Sequence, residues 1–262
     1  MAKATTKLPL DLICFTGSTF TGRLVAMEAA KNLTPCLLEL GGKCPIIVDE
    51  TAKIESAVLR IAFGKFVNCG QTCIGVDHVY VHESVYKAFR KLLLEKMDEM
   101  FGNQNLKENP DYGRIINSLR VNRLEELMKD KHEGEIIFGG QIDKDQKFIS
   151  PTIVEAPKKN SLMMQEEIFG PIMPIYSYTN LDSVIEEIVD RPKPLVVYIF
   201  SENKTNIKKV RQNTYSGSFV VNDTILQMAN NHLPFGGVGM SGSGRYHGES
   251  GFINFSNAKS IC

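Results

Sequence analysis

The stretch LPLDLICFTGSTFTGRLVAMEAAKNL, residues 8–33, decides the fold. Residues 8–15 form a short apolar run, 16–19 a Thr-Gly-Ser-Thr turn and 21–33 a helical stretch. Strand, small-residue turn and helix make one unit of a parallel α/β sheet. Working outward, strand-like runs recur at 35–40, 45–48, 76–82, 136–140, 148–155, 172–178, 195–200 and 218–221. Helical stretches lie among them at 53–66, 83–101, 118–129, 181–189 and 207–213, and 163–171 is a helix or turn closing on Gly-Pro. The alternation predicts an α/β fold. Pro151 makes the 148–155 strand bent or an edge, because proline brings no N–H to a ladder. The border between structural units falls between Thr34 and Gly42.

Composition narrows the function classes. Hydrophobic residues at 43% and charged residues at 23% are those of a soluble globular chain with a sizeable core. Lys+Arg and Asp+Glu are equal at 30 each, so no basic excess points to nucleic acid. MAKATTKLPL lacks the apolar core of a signal peptide, and no apolar run reaches the length of a membrane helix. The cysteines are therefore expected as thiols in a reducing, cytoplasmic setting.

Three places carry candidate chemistry. The helix start after Gly17-Ser18 is either an ordinary βα turn or an anion site, since free N–H groups and the helix dipole meet there. Glu39 ends an apolar strand before a glycine pair, as a solvated strand end or a proton-transfer group. In FVNCGQTCIGVDHV, residues 66–79, Cys73 is either a core thiol or a nucleophile in a helix-adjacent turn. Glu39 and Cys73 are expected to converge as ends of one α/β sheet. Zinc is rejected, because the histidines offer no pair to match Cys69 and Cys73. The Gly-Val-Gly-Met-Ser-Gly run at 237–242 matches a dinucleotide fingerprint but lacks the preceding strand and following helix, so it is also rejected. The glycine-rich segment 233–244, framed by aromatics, reads as an ordered loop near a site.

Taken together, ELGGK at 39–43, NCGQTC at 68–73, EEIFGP at 166–171 and PFGG at 234–237 resemble the aldehyde dehydrogenases in order and spacing. MMQEEIFGPI, NDTI and LPFGGVGMSGSGRYHG resemble the class 3 and fatty-aldehyde branch. The resemblance implies a partial Rossmann-type coenzyme domain joined to an α/β catalytic domain. Residues 1–40 would be the C-terminal part of the first, 41–230 the catalytic domain and 231–262 a glycine-rich loop with a C-terminal return segment.

It also implies roles. Cys73 matches the nucleophile that forms a thiohemiacetal and then a thioester, and Glu39 the base that activates the hydrolytic water. Gly17 and Ser18 match the coenzyme pyrophosphate site. Glu167 matches the carboxylate at the nicotinamide ribose, with Phe169 beside the ring. Asn222 and Phe235 match the aldehyde pocket, and Cys69 is left to packing. NAD or NADP, a small-molecule aldehyde and a homodimer follow as cofactor, substrate and assembly.

The family's N-terminal region carries half the Rossmann sheet and a Pro-Trp-Asn motif whose Asn completes the oxyanion hole. Here Met1 lies fourteen residues before Phe15 and there is no Trp, so a truncated form is expected. One lost oxyanion donor costs about 2.7–4 kcal/mol. The alternatives are an inactive fragment or paralogue acting as a structural or interaction subunit, and an esterase retaining only thiolate chemistry.

Overall fold

The computed structural model describes residues 2–102 and 105–262. In chain order the elements are α1 (Ala2–Thr5), β1 (Ile13–Thr16), α2 (Thr19–Ala29), β2 (Cys36–Glu39), β3 (Pro45–Val48), α3 (Ile54–Phe66), β4 (His78–His82), α4 (Glu83–Met97), α5 (Ser118–Lys129) and β5 (Glu135–Phe138). There follow β6 (Ile142–Asp143), β7 (Phe148–Ile149), β8 (Thr152–Glu155), α6 (Leu162–Gln165), β9 (Ile172–Tyr178), α7 (Leu181–Val189), β10 (Val196–Phe200), α8 (Lys204–Asn213), β11 (Ser218–Val221), β12 (Gly242–Ser243) and α9 (Gly248–Asn254). No helix among the described residues is long and apolar enough to cross a membrane.

The strands form two main sheets. One has the order β1-β2-β12, with β1 parallel to β2 and β12 antiparallel to it. The other has the order β11-β10-β3-β4-β9-β8-β5, parallel except for the β5–β8 pair. Strand periodicity explains how the large sheet is covered. Ile46, Val48, Val79, Val81, Tyr198 and Phe200 face α3 and α4 in one apolar cluster. Their sequence neighbours Ile47, Tyr80, Val197 and Ile199 face α7 and α8 in another. Burial on both faces is why these strands read as continuous β-branched runs rather than alternating ones. A third cluster gathers Cys69, Tyr112, Val121, Leu124 and Ile168 under α5.

Short polar caps start the helices. Ser18 caps α2, Asn117 α5, Asn180 α7 and Asn203 α8, each accepting a first-turn backbone N–H.

Four expectations change. The first strand starts only at Ile13, after the Leu8-Pro9-Leu10 stretch, and runs to Thr16. The 148–155 strand is split at Ser150-Pro151. β7 pairs with β6, while β8 lies inside the large sheet between β5 and β9, so Pro151 sits where no ladder bond is needed. The helix expected over 83–101 ends at Met97 and widens into a π-type turn, Asp98–Gly102. Finally, Glu39 and Cys73 do not end one sheet: Glu39 is in the three-stranded sheet, and Cys73 precedes β4 of the seven-stranded one.

Candidate active site

Glu39 closes β2 with only 3% of its surface exposed, and neither carboxylate oxygen has a hydrogen-bond partner. Burial pushes its carboxyl up to about 7, with Arg245 opposing. The glycine-rich segment builds this pocket. β12 pairs with Leu38 and Glu39, and a Cβ at Gly236 would stand 3.0 Å from Glu39 Oε1. Phe235 and Tyr246 exchange backbone hydrogen bonds at 2.8 Å, and Arg245 donates to the Gly244 carbonyl at 2.7 Å. The segment is thus an ordered wall, with Phe235 buried in the main core and stacked on His247.

Cys73 sits in a turn closed by the Gly75 N–H donating to the Thr72 carbonyl at 2.8 Å. Three consecutive left-handed residues, Asn68, Cys69 and Gly70, reverse the chain ahead of it. Such backbone persists only when its surroundings hold it. Gln71 supplies part of that hold, donating to the Arg114 carbonyl at 3.1 Å and accepting from the Ile116 N–H at 3.0 Å. Gly70 must lack a side chain, because a Cβ there would overlap the Gly170 carbonyl. The Cys73 turn therefore packs directly on the loop that carries Glu167. Cys69 is buried against Tyr112 and Gly113.

A buried brace sets that second loop. Lys43 Nζ pairs with Asp77 at 2.5 Å and donates to the carbonyls of Met163 and Glu166, both at 2.8 Å. The other Asp77 oxygen accepts the Ile168 N–H at 3.0 Å. Arg123 clamps the same segment through the carbonyls of Glu167 and Ile168. Held this way, Phe169 adopts a left-handed backbone, φ 45°, and keeps its ring 40% exposed. Lys43, Asp77 and Arg123 escaped the sequence reading. Their one signal is position: a lysine after the glycine pair, and an aspartate between Val76 and His78, just past the Cys73 turn.

The electrostatics tie the three loops together. Burial, then Glu167, then Glu39 raise the Cys73 thiol, while the N–H groups of Ile74 and Cys73 itself lower it. Burial pushes Glu167 up to about 7, opposed by the Gly42 N–H and Arg123. Burial and the two carboxylates thus hold the Cys73 thiol above its ordinary range, where its turn alone leads one to expect the reverse. A cavity of about 620 Å³ runs past Thr19 at the start of α2, Gly41, Gly42, Glu167 and the Asp190–Lys193 end of α7. Ser18 is adjacent as the α2 cap, and the Gly17 N–H donates to the Glu39 carbonyl at 3.0 Å. Among the described residues no group of three His, Cys, Asp or Glu side chains is placed to hold a metal ion.

Asn222 is not brought to Cys73. It follows β11 at the C-terminal edge of the large sheet, beside the Ile199 end of β10, whereas Cys73 lies ahead of the N-terminal end of β4. Its amide accepts from the Ser201 N–H at 2.8 Å and donates to the Ser201 carbonyl at 2.9 Å. The chain then doubles back, so that the Ile225 N–H reaches the Tyr198 hydroxyl at 3.3 Å, beneath the Cys73 turn.

A pH dependence follows from the raised carboxyls. Between about pH 4.5 and 7 the folded chain keeps protons on Glu39 and Glu167 that the unfolded chain has released, so stability falls as pH rises through that window. Glu39→Gln is expected to remove part of this fall. Urea unfolding should show a gain on the order of 1–2 kcal/mol near pH 8, after allowing for solvent screening, and little change near pH 4.5.

A family model described as "Aldehyde dehydrogenase family" matches residues 2–261. The 4,4'-diaponeurosporen-aldehyde dehydrogenase of Staphylococcus aureus (strain NCTC 8325 / PS 47) is 47% identical over 253 residues, which cover 97% of this chain and 55% of that protein. Aldehyde dehydrogenase family 3 member A2 of Mus musculus is 45% identical over 253 residues, covering 97% and 51% respectively. A solved structure described as the substrate-bound state of Staphylococcus aureus AldH matches with a TM-score of 0.92 and 44% identity, covering 99% of this chain and 57% of that one. The chain spans about half the length of these relatives.

Proposed function

The chain belongs to the aldehyde dehydrogenase family, and from that premise we propose that its site serves the oxidation of an aldehyde to a carboxylic acid with NAD or NADP. The observation that carries the reading is the packing of three loops from two sheets: the Cys73 turn lies on the Glu167 loop through Gly70 and Gly170, and the Glu167 carboxylate lies against Gly41, two residues past Glu39. Cys73, deprotonated by a neighbouring carboxylate, adds to the aldehyde carbon. The developing oxyanion takes a hydrogen bond from the Cys73 N–H. When bound, a nicotinamide coenzyme supplies the hydride acceptor that lets the adduct become a Cys73 thioester. Glu39, ionising near pH 7, takes a proton from water as that water attacks the thioester; the carbon–sulfur bond breaks, Cys73 is released as its thiolate, and the acid leaves.

The cavity beside Glu167 fits such a coenzyme. It joins a capped helix N-terminus, suited to phosphate through Gly17 and Ser18, to a buried carboxylate suited to ribose hydroxyls. Phe169, two residues beyond Glu167 on the same loop, offers a partly exposed side chain, and we assign Phe235 to the wall of the aldehyde side. Gly41→Ala tests the fit. A Cβ at Gly41 would collide with the Glu167 carboxylate, so the variant is expected to bind NAD or NADP at least about tenfold more weakly by calorimetry. Equal affinity would remove Glu167 from the coenzyme site.

We read the assembly as a homodimer formed by sheet extension, for which β11 offers an edge strand. A cytoplasmic setting is inferred because Cys73 works only as a free thiol. A second reading, as a subunit docked on another polypeptide, is favoured by the apolar face Phe20, Leu24 and Met27 on α2, exposed at 73%, 47% and 66%. Absence of any NAD or NADP binding to the unsubstituted chain would favour that reading.

A further inference from the structure

The Cys73 turn leaves two carbonyls over. With Gly75 closing on Thr72, Cys73 and Ile74 are the central residues, and their own carbonyls are not used by the turn. Both are met by fully buried side chains from the large sheet. Cys44, just ahead of β3, donates its thiol to the Cys73 carbonyl at 3.5 Å. Tyr198, midway along β10, donates its hydroxyl to the Ile74 carbonyl at 2.6 Å.

The direction of the second bond is forced. Tyr198 oxygen receives the Ile225 N–H and the Gln227 amide, each at 3.3 Å, so its single proton goes to Ile74. A tyrosine hydroxyl at the centre of a strand buried along its whole length is costly unless it is used this way. Peptide planarity carries the effect onward. The Cys73 carbonyl, held by Cys44, shares a rigid plane with the Ile74 N–H; the Ile74 carbonyl, held by Tyr198, shares one with the Gly75 N–H, which in turn holds the Thr72 carbonyl and with it the plane of the Cys73 N–H.

We propose that Tyr198 and Cys44 are positioning residues for Cys73, holding the two turn carbonyls so that the N–H groups of Cys73 and Ile74 keep their orientation at the reacting centre. The proposal rests on the reading of Cys73 as the nucleophile. It concerns groups that touch neither substrate nor coenzyme, and it gives the buried thiol of Cys44 a task other than packing.

The test is alkylation of the whole chain by iodoacetamide across about pH 6 to 10, with the Cys73 peptide quantified by mass spectrometry. Tyr198→Phe is expected to slow Cys73 labelling about fivefold near pH 7.5 and to move the midpoint of its pH profile upward. Cys44→Ala should slow it about twofold to threefold, and Cys44→Ser, which keeps a donor, should restore most of the rate. Tyr176→Phe is the control, because it loses a comparable buried bond, 2.7 Å to the Pro157 carbonyl, without touching the turn. If Tyr198→Phe and Cys44→Ala slow labelling no more than Tyr176→Phe, the proposal fails. If Tyr198→Phe does not fold, the Cys44→Ala and Cys44→Ser pair decides alone. If Cys73 in the unsubstituted chain takes no label at any pH, the nucleophile reading falls first and the proposal with it.

Discussion

Cys73→Ala is expected to lower every acyl-forming activity of this site by on the order of 10³-fold or more, whether read as aldehyde oxidation or as hydrolysis of an activated ester. The magnitude follows from covalent catalysis. With no sulfur there is no adduct for Glu39 to resolve, and the remaining groups only polarise water. The loss should appear in kcat with KM nearly unchanged, because alanine leaves the pocket of Phe235 and Gly236 intact. The neighbouring Cys69 cannot substitute. It is 3% exposed, lies in the cluster under α5, and burial raises its thiol further. Turnover of the alanine variant within about tenfold of the parent would remove Cys73 from the chemistry.

Asp77→Ala is the second large effect, and it acts on stability. The substitution strands the Lys43 ammonium in the interior and frees the Ile168 N–H, both of which Asp77 now satisfies. Breaking a buried pair from one side costs about 3–5 kcal/mol, because the remaining charge stays desolvated. For a chain of this size that is roughly 6–20 °C in Tm. Asp77 is held well below the usual carboxylate range: burial would raise it, but Lys43, His78 and Lys65 outweigh that. A depressed folded pKa contributes stability above the unfolded value of about 4 and loses it only as pH falls further, so the deficit of the variant should be full at neutral pH and shrink in acid. Thermal unfolding of parent and variant at about pH 7 and pH 3 checks both claims. A deficit of under about 1 kcal/mol at neutral pH would mean the brace is not what holds the Glu167 loop.

How much of this was legible beforehand differs from element to element. The large sheet was readable because its strands are buried on both faces, and Pro45–Val48 and Val196–Phe200 announce that in β-branched runs. The start of α2 was readable because Ser18 stands in a small-residue turn just before a helical stretch. The split at Pro151 was half readable, since proline predicts a break but not which sheet takes each half. The site was less so. Glu39 ends a strand of one sheet and Cys73 lies in a turn ahead of a strand of the other, and only tertiary packing, Gly70 on the Glu167 loop and Glu167 on Gly41, brings the loops together. Lys43, Asp77 and Arg123 look like ordinary charges until their partners are seen. Asn222 differs for another reason. It belongs to a site-forming segment, yet its own amide is spent on the backbone of Ser201, and the residues that come back beneath Cys73 are Ile225 and Gln227. The raised thiol of Cys73 also lies beyond sequence, because it depends first on burial and then on two carboxylates far away in the chain.

One measurement bears most directly on the central claim that Cys73, flanked by Glu39 and Glu167, forms the acyl-enzyme. The unsubstituted chain is incubated with p-nitrophenyl acetate, quenched in acid and digested, and the acetyl group is located by mass spectrometry. The account predicts acetylation on Cys73, accumulating further in Glu39→Gln because thioester hydrolysis is slowed. An acetyl group found on Cys14, Cys36 or Cys262 with Cys73 unmodified, or an adduct on Cys73 that Glu39→Gln leaves at parental level, would contradict it.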